Sequence, residues 1–132
     1  MTSYAIRYVT VLLVLVIGDA AWLSFFARTM FRPTLGDILL EDPRWVGVAI
    51  FYLLFTAGVL VFPLQLGLRG QTPLAAAMYG FLFGFFCYMT YDATNYATIK
   101  NWTAPLAFID TLWGALLTAA ATTAAYFVAN RV

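Results

Sequence analysis

The chain has 132 residues, 64% of them hydrophobic and only 10% charged, with a mean hydropathy of +0.87. Soluble domains carry about 25% charged residues, so a water-soluble globule is excluded and lipid is expected to be the solvent for most of the outer surface. A net charge of +1 leaves no electrostatic footprint for nucleic acid.

The length accommodates about four spans of ~20 residues with short connections and no separate soluble domain. The absence of His removes the usual haem ligand and the common physiological-pH base. Cys87 is the single cysteine. It can form neither an internal disulfide nor a thiolate metal site, and it reads as a packing residue.

The first span is expected over about 4–27. Its centre, Val9 to Ile17, is apolar all round, as a buried or lipid-facing helix is. Arg7 ahead of this run resembles the start of a signal peptide. Asp19-Ala20-Ala21 is nevertheless a poor cleavage site, and the apolar pattern continues to Ala27, so the segment reads as retained. Leu15, Asp19, Trp22 and Phe26 fall on one helical face, which should point inward because a carboxylate must avoid lipid.

Residues 28–43 form a charged connection holding Arg28, Arg32, Asp37, Glu41 and Asp42, with Pro33 and Pro43 as punctuation. Thr34 to Leu40 fits either a short interfacial helix resting on the headgroup boundary or a solvated loop. The second span is expected over 44–66, with Trp45 as an interfacial anchor and Tyr52 on its inner face. Pro63 should kink or end it. A short turn, with Thr72 as N-cap and Pro73 at the first helical position, makes the second and third spans an antiparallel hairpin.

The third span, 73–99, carries two signals. Ala76, Gly80 and Gly84 are spaced four apart, which permits close approach of another helix. Further along, Tyr88, Tyr91, Asp92, Asn95 and Tyr96 recur at i, i+3, i+4, i+7 and i+8 and share a face. The fourth span, 103–129, presents Asp110, Trp113, Gly114, Leu117 and Thr118 at helical spacing, another small-residue face headed by an acid and an aromatic. Gly80, Gly84 and Gly114 are the expected helix-packing positions.

Four spans with short turns alternate in direction, giving an all-α antiparallel four-helix transmembrane bundle. At 1.5 Å rise per residue, Asp19 lies ~13 Å below its helix end, Asp92 ~12 Å and Asp110 ~10 Å, all on the side of the Trp102 turn. The acids therefore share a layer with Trp22, Tyr52, Tyr88, Tyr91, Asn95 and Trp113, while the opposite half holds no acid. This predicts a bundle closed at one end, with an acidic, aromatic-lined cavity opening toward Trp102. Three ionised carboxylates at one depth would repel. One keeps its proton, or rim cations pair with them, or Tyr and Trp donors satisfy them. Cations on the Trp102 side (Arg28, Arg32, Arg44, Lys100) outnumber those opposite (Arg7, Arg69, Arg131), which favours that side as cytoplasmic.

Asp19-Ala20-Ala21-Trp22-Leu23, Tyr91-Asp92-Ala93-Thr94-Asn95-Tyr96-Ala97, Trp102 and Asp110-Thr111-Leu112-Trp113-Gly114 resemble a domain-of-unknown-function family of small bacterial membrane proteins. The likeness spans essentially the whole chain. It implies a four-helix, multi-pass protein of the bacterial inner membrane and brings no activity, substrate or cofactor with it.

Three functions are consistent with these residues. The first is binding or movement of a small cationic or amphipathic ligand, or of protons, with Asp19, Trp22, Tyr52, Tyr88, Tyr91, Asp92, Asn95, Asp110 and Trp113 as the ligand-binding set. The second is an accessory or assembly subunit of a larger membrane complex, or a homo-oligomer, docking through small-residue faces. The third is a lipid-modifying intramembrane enzyme. It is the least favoured, because no nucleophile motif and no His are present, so no catalytic residue is assigned. No metal site is assigned either, although Asp19, Asp92, Asp110 and Asn95 could offer oxygen ligands to a hard cation.

Overall fold

A computed structural model of the chain describes residues 2–36 and 44–131. Among these it is helical apart from turns. Helix α1 (Thr2–Phe26) continues through a π-helical turn, Ala27–Phe31, into the short α2 (Arg32–Leu35). Helices α3 (Trp45–Val61) and α4 (Pro63–Gly70) form one interrupted rod, followed by α5 (Pro73–Thr98) and α6 (Ala104–Arg131). Four stretches are long and apolar enough to cross a membrane: Thr2–Phe26, Trp45–Gly70, Pro73–Thr98 and Ala104–Arg131. The chain is an all-α, multi-pass membrane protein.

Local chemistry explains the breaks. Pro63 has no N–H to give the carbonyl one turn earlier, and its ring crowds that turn. The helix is interrupted at Phe62, whose backbone lies at φ −104°, ψ −80°. Beyond Gly70 the rod ends on Gln71 in the left-handed region, φ 61°, where its N–H donates to the carbonyls of Gly67 and Leu68. Helix α5 then starts on Thr72, whose hydroxyl accepts from the N–H of Ala75 at 3.0 Å, with Pro73 in the first turn. The Thr satisfies one orphan donor, and the Pro occupies a position where no donor is needed.

Helix α6 is the hub. It packs most extensively along α5 and also against α1, with smaller contacts to α3 and α4. The α5–α6 seam is close because it is lined with small residues. A Cβ added to Gly84 would sit 2.6 Å from the Gly114 carbonyl oxygen, and one on Gly80 would sit 2.9 Å from the Thr118 carbonyl oxygen. In lipid no solvent drives helices together, so dispersion across such close seams does. Of the face expected to receive another helix, Gly80 and Gly84 are thus covered by α6 of the same chain, while Ala76 lies against Gly67 of α4.

The interruption at Pro63 gives the two halves of the second span different neighbours. Helix α4 lies against α5 and α6, while α3 lies against α1 and hardly meets α5. Tyr8 ties α1 to α3 by donating to the Leu53 carbonyl at 2.7 Å. The α4 half of the bundle is closed by a core of Val11, Leu15, Val59, Leu64, Ala76, Ala121 and Ala125, all at 1% exposure or less.

At the other end a second, smaller cluster joins Leu35 of α2 to Trp102 and Leu106, with Phe31 and Ile99 packed beside it. The segment after α1 was expected to be a headgroup-resting helix or a loop between Pro33 and Pro43. Its described start, as far as Gly36, prolongs α1, with Pro33 in the first turn of α2, where proline is tolerated. Leu35 is 2% exposed and packs on Trp102 and Leu106. The rest of that charged connection, including Asp37, Glu41 and Asp42, lies outside the described residues.

Candidate functional site

Asp19 sits near the middle of the bundle, 9% exposed. Tyr52 of α3 donates its hydroxyl to Asp19 Oδ2 at 2.5 Å, and Trp113 of α6 donates its indole N–H to Asp19 Oδ1 at 2.9 Å. One carboxylate thereby ties three helices together. Both donors are neutral, so the bonds orient the carboxyl group without adding a countercharge. Trp113 also stacks on Trp22 with ring centroids 4.6 Å apart and an interplanar angle of 5°, and Trp22 stacks in turn on Phe26 at 3.8 Å. The i, i+3, i+7 spacing of Asp19, Trp22 and Phe26 puts acid and rings on one stripe of α1. The Trp113 ring closes the stack from α6.

The second acidic locus lies between α5 and α6. Asp92 is fully buried, and Thr111 donates its hydroxyl to Asp92 Oδ2 at 3.2 Å. The Asp110 carboxyl lies within hydrogen-bonding reach of Asp92. Two carboxylates brought together in this way repel when both are ionised. The Trp102 indole approaches Asp92 without a well-formed bond, and both Trp102 Nε1 and Asp92 Oδ1 are buried without a partner. Buried donors and acceptors left unpaired cost about 1–3 kcal/mol each. A bound group able to satisfy them would recover part of that.

These loci border a cavity of about 540 Å³. Its wall includes Asp19 and Trp22 of α1, Tyr88 and Tyr91 of α5, Trp102 in the turn before α6, and Asp110 of α6. Tyr91 meets Trp102 edge-on at 5.6 Å. The Tyr88 ring lies over Gly114, where a Cβ would run into it. Gly114 therefore serves the cavity wall as well as the helix seam.

Of the nine residues singled out in the sequence, Asp19, Trp22, Tyr88, Tyr91 and Asp110 line the cavity. Tyr52 and Trp113 stand behind Asp19 as its donors. Asp92 is buried beyond Asp110, and Asn95, half-buried one turn along α5, is off the wall. The shared face of α5 is broad enough for its edges to diverge: Tyr88 turns inward, whereas Tyr96 is 55% exposed.

The cavity also takes in residues that sequence reasoning passed over, Leu23, Phe31, Leu35, Phe51 and Cys87, together with Arg32, expected as a rim cation, and Trp102 itself. Trp102 was legible as a turn residue only, and its role as a wall depends on α2 folding against it. Arg32 brings the one described cation on the wall, at the mouth. Among the described residues no three His, Asp, Glu or Cys side chains converge as metal ligands.

A family model described as "Predicted membrane protein (DUF2177)" matches residues 4–127. No curated protein and no solved structure matches the chain.

Proposed function

The chain belongs to this family of predicted membrane proteins of unknown function, and from the site itself we propose that it binds a small cationic or amphipathic ligand inside the membrane, in the bacterial inner membrane. The observation that carries the reading is the cavity wall, where Asp19 and Asp110 stand among Trp22, Tyr88, Tyr91 and Trp102. Acids supply charge to a bound cation and aromatic faces supply cation–π attraction, worth most where water is scarce. A volume of about 540 Å³ lies within the usual range for small-molecule sites, roughly 300–1,000 Å³.

Binding fits the architecture better than passage across the membrane. Beyond the acids the bundle closes on an apolar core. The buried Thr118 and Thr122 there donate their hydroxyls to the helix carbonyls of Gly114 and Thr118. Neither hydroxyl is left as a relay donor.

The test is a titration of solubilised protein with n-butylammonium, followed by tryptophan fluorescence, since Trp22, Trp102 and Trp113 surround the site. Asp19→Asn and Asp110→Asn should each weaken binding roughly tenfold or more, about 1.4 kcal/mol per factor of ten, with the thermal transition retained. Undiminished binding in both variants would end this reading.

A further inference from the structure

A second concavity lies on the lipid-facing side of the same gap. It has a volume of about 400 Å³ and lies between α5 and the Phe62–Leu66 stretch. Its wall is apolar and aromatic, including Phe62, Leu66, Leu82, Phe83 and Phe86. Cys87 belongs to this wall and also to the wall of the acidic cavity. The two spaces therefore adjoin at one residue, where α3 and α5 hardly meet. Only side chains, chiefly Phe55 against Phe83 at 5.5 Å and against Tyr88 at 6.1 Å, bridge the gap.

Resting on the cation-binding reading above, we infer that the two spaces form one site for a single-chain cationic amphiphile. The ammonium head lies in the Asp19–Asp110 cavity and the hydrocarbon chain passes Cys87 into the outer groove. Three features select this occupant. The inner space is acidic and aromatic, and the outer space is apolar, which is the polarity profile of such a molecule. From Cys87 the groove follows α5 to Tyr79, roughly 12 Å at 1.5 Å per residue, which suits the outer part of a chain of about a dozen carbons. The direction also fits: the head lies on the Trp102 side and the chain runs along α5 away from it, past Cys87, as an amphiphile anchored from that side does. Entry is then lateral, through the parted α3 and α5, and the ligand never crosses the Leu35–Trp102 plug.

Dodecylamine bearing a diazirine near its methyl end tests this in phosphatidylcholine nanodiscs. Photolysis releases dinitrogen and the carbene inserts into a neighbouring bond, so labelled peptides mark the chain's path. Adducts should concentrate on residues 62–66 and 79–90, and excess dodecyltrimethylammonium should reduce them roughly tenfold. Asp110→Asn should do the same by releasing the head. Leu82→Trp, a lipid-facing change on the wall of the outer groove alone, should abolish the competable adducts while leaving n-butylammonium binding intact. Adducts spread over the lipid-facing surface as with a sulfate-headed probe, alongside normal n-butylammonium binding, would overturn the chain path and leave the cavity reading standing. Loss of both would sink the two together. Competable labelling that persists in Leu82→Trp would show that the chain leaves by another route.

Discussion

Asp19 owes its position to two neutral donors on two other helices, and this decides how its neighbours respond to substitution. Trp113→Phe keeps most of the stack on Trp22 but removes the indole N–H, leaving Asp19 Oδ1 in a 9%-exposed site without its partner. The expected cost is about 1–3 kcal/mol in stability, read as a lower unfolding temperature in detergent. Asp19→Asn/Trp113→Phe should cost less than the sum of the two single changes, because with the charge gone the missing donor matters less. Strict additivity would show that the bond does not couple them. At this scale the sequence announced that Asp19 faces inward, since a carboxylate cannot face lipid. It did not announce which aromatics would touch a ligand and which would hold the acid. Tyr52 and Trp113 had the same depth and residue type as Trp22, and only side-chain direction separates the two roles.

Among the elements, the α5–α6 seam carries the bundle, and its closeness makes it sensitive. Gly84→Ala places a methyl 2.6 Å from a backbone oxygen of α6, which cannot swing aside as a side chain does. The helices must part, at a cost of about 1–3 kcal/mol. Gly47→Ala, with no atom within 4 Å of its added Cβ, should change stability by less than about 0.5 kcal/mol. Thermal unfolding of the pair in one detergent checks both, and equal effects would contradict the seam. The small-residue spacing pointed to a close helix neighbour but not to which one. Spacing of four marks a narrow face, and the identity of the facing helix depends on three-dimensional order. Because α6 and α4 occupy that face, it is not free to receive an outside partner, the role considered for an accessory subunit. Pro63 was legible as an interruption. That the two halves would then take different neighbours, opening a gap beside Cys87, was not, because the sense of a bend depends on what packs around it.

For the whole molecule, the outer surface is a belt of exposed apolar side chains, among them Leu13, Ile17, Leu54, Leu82 and Phe108. Cys87, exposed on the protein surface, lies about 16 Å along α5 from Thr98 at 1.5 Å per residue, well inside a hydrocarbon core of ~30 Å. In intact membranes it should react with a lipid-soluble maleimide and not with an anionic, impermeant thiol reagent. Mass spectrometry of the two reactions checks this, and equal labelling by both would place Cys87 at a water-filled surface and remove the lipid groove.

Composition alone settled that this chain lives in lipid, and apolar runs of ~20 residues with short turns between them settled four antiparallel helices, because a backbone in hydrocarbon must satisfy its own hydrogen bonds. Helical spacing and rise brought Asp19, Asp92 and Asp110 to one depth, since both are constants of the helix. Packing decided the remainder: the burial of Asp92 behind Asp110, the fold of α2 against Trp102, the place of Arg32 and Cys87 on the wall, and the parting of α3 from α5. Each depends on rotation of whole helices about their axes and on which neighbour arrives, and a periodic sequence leaves both open.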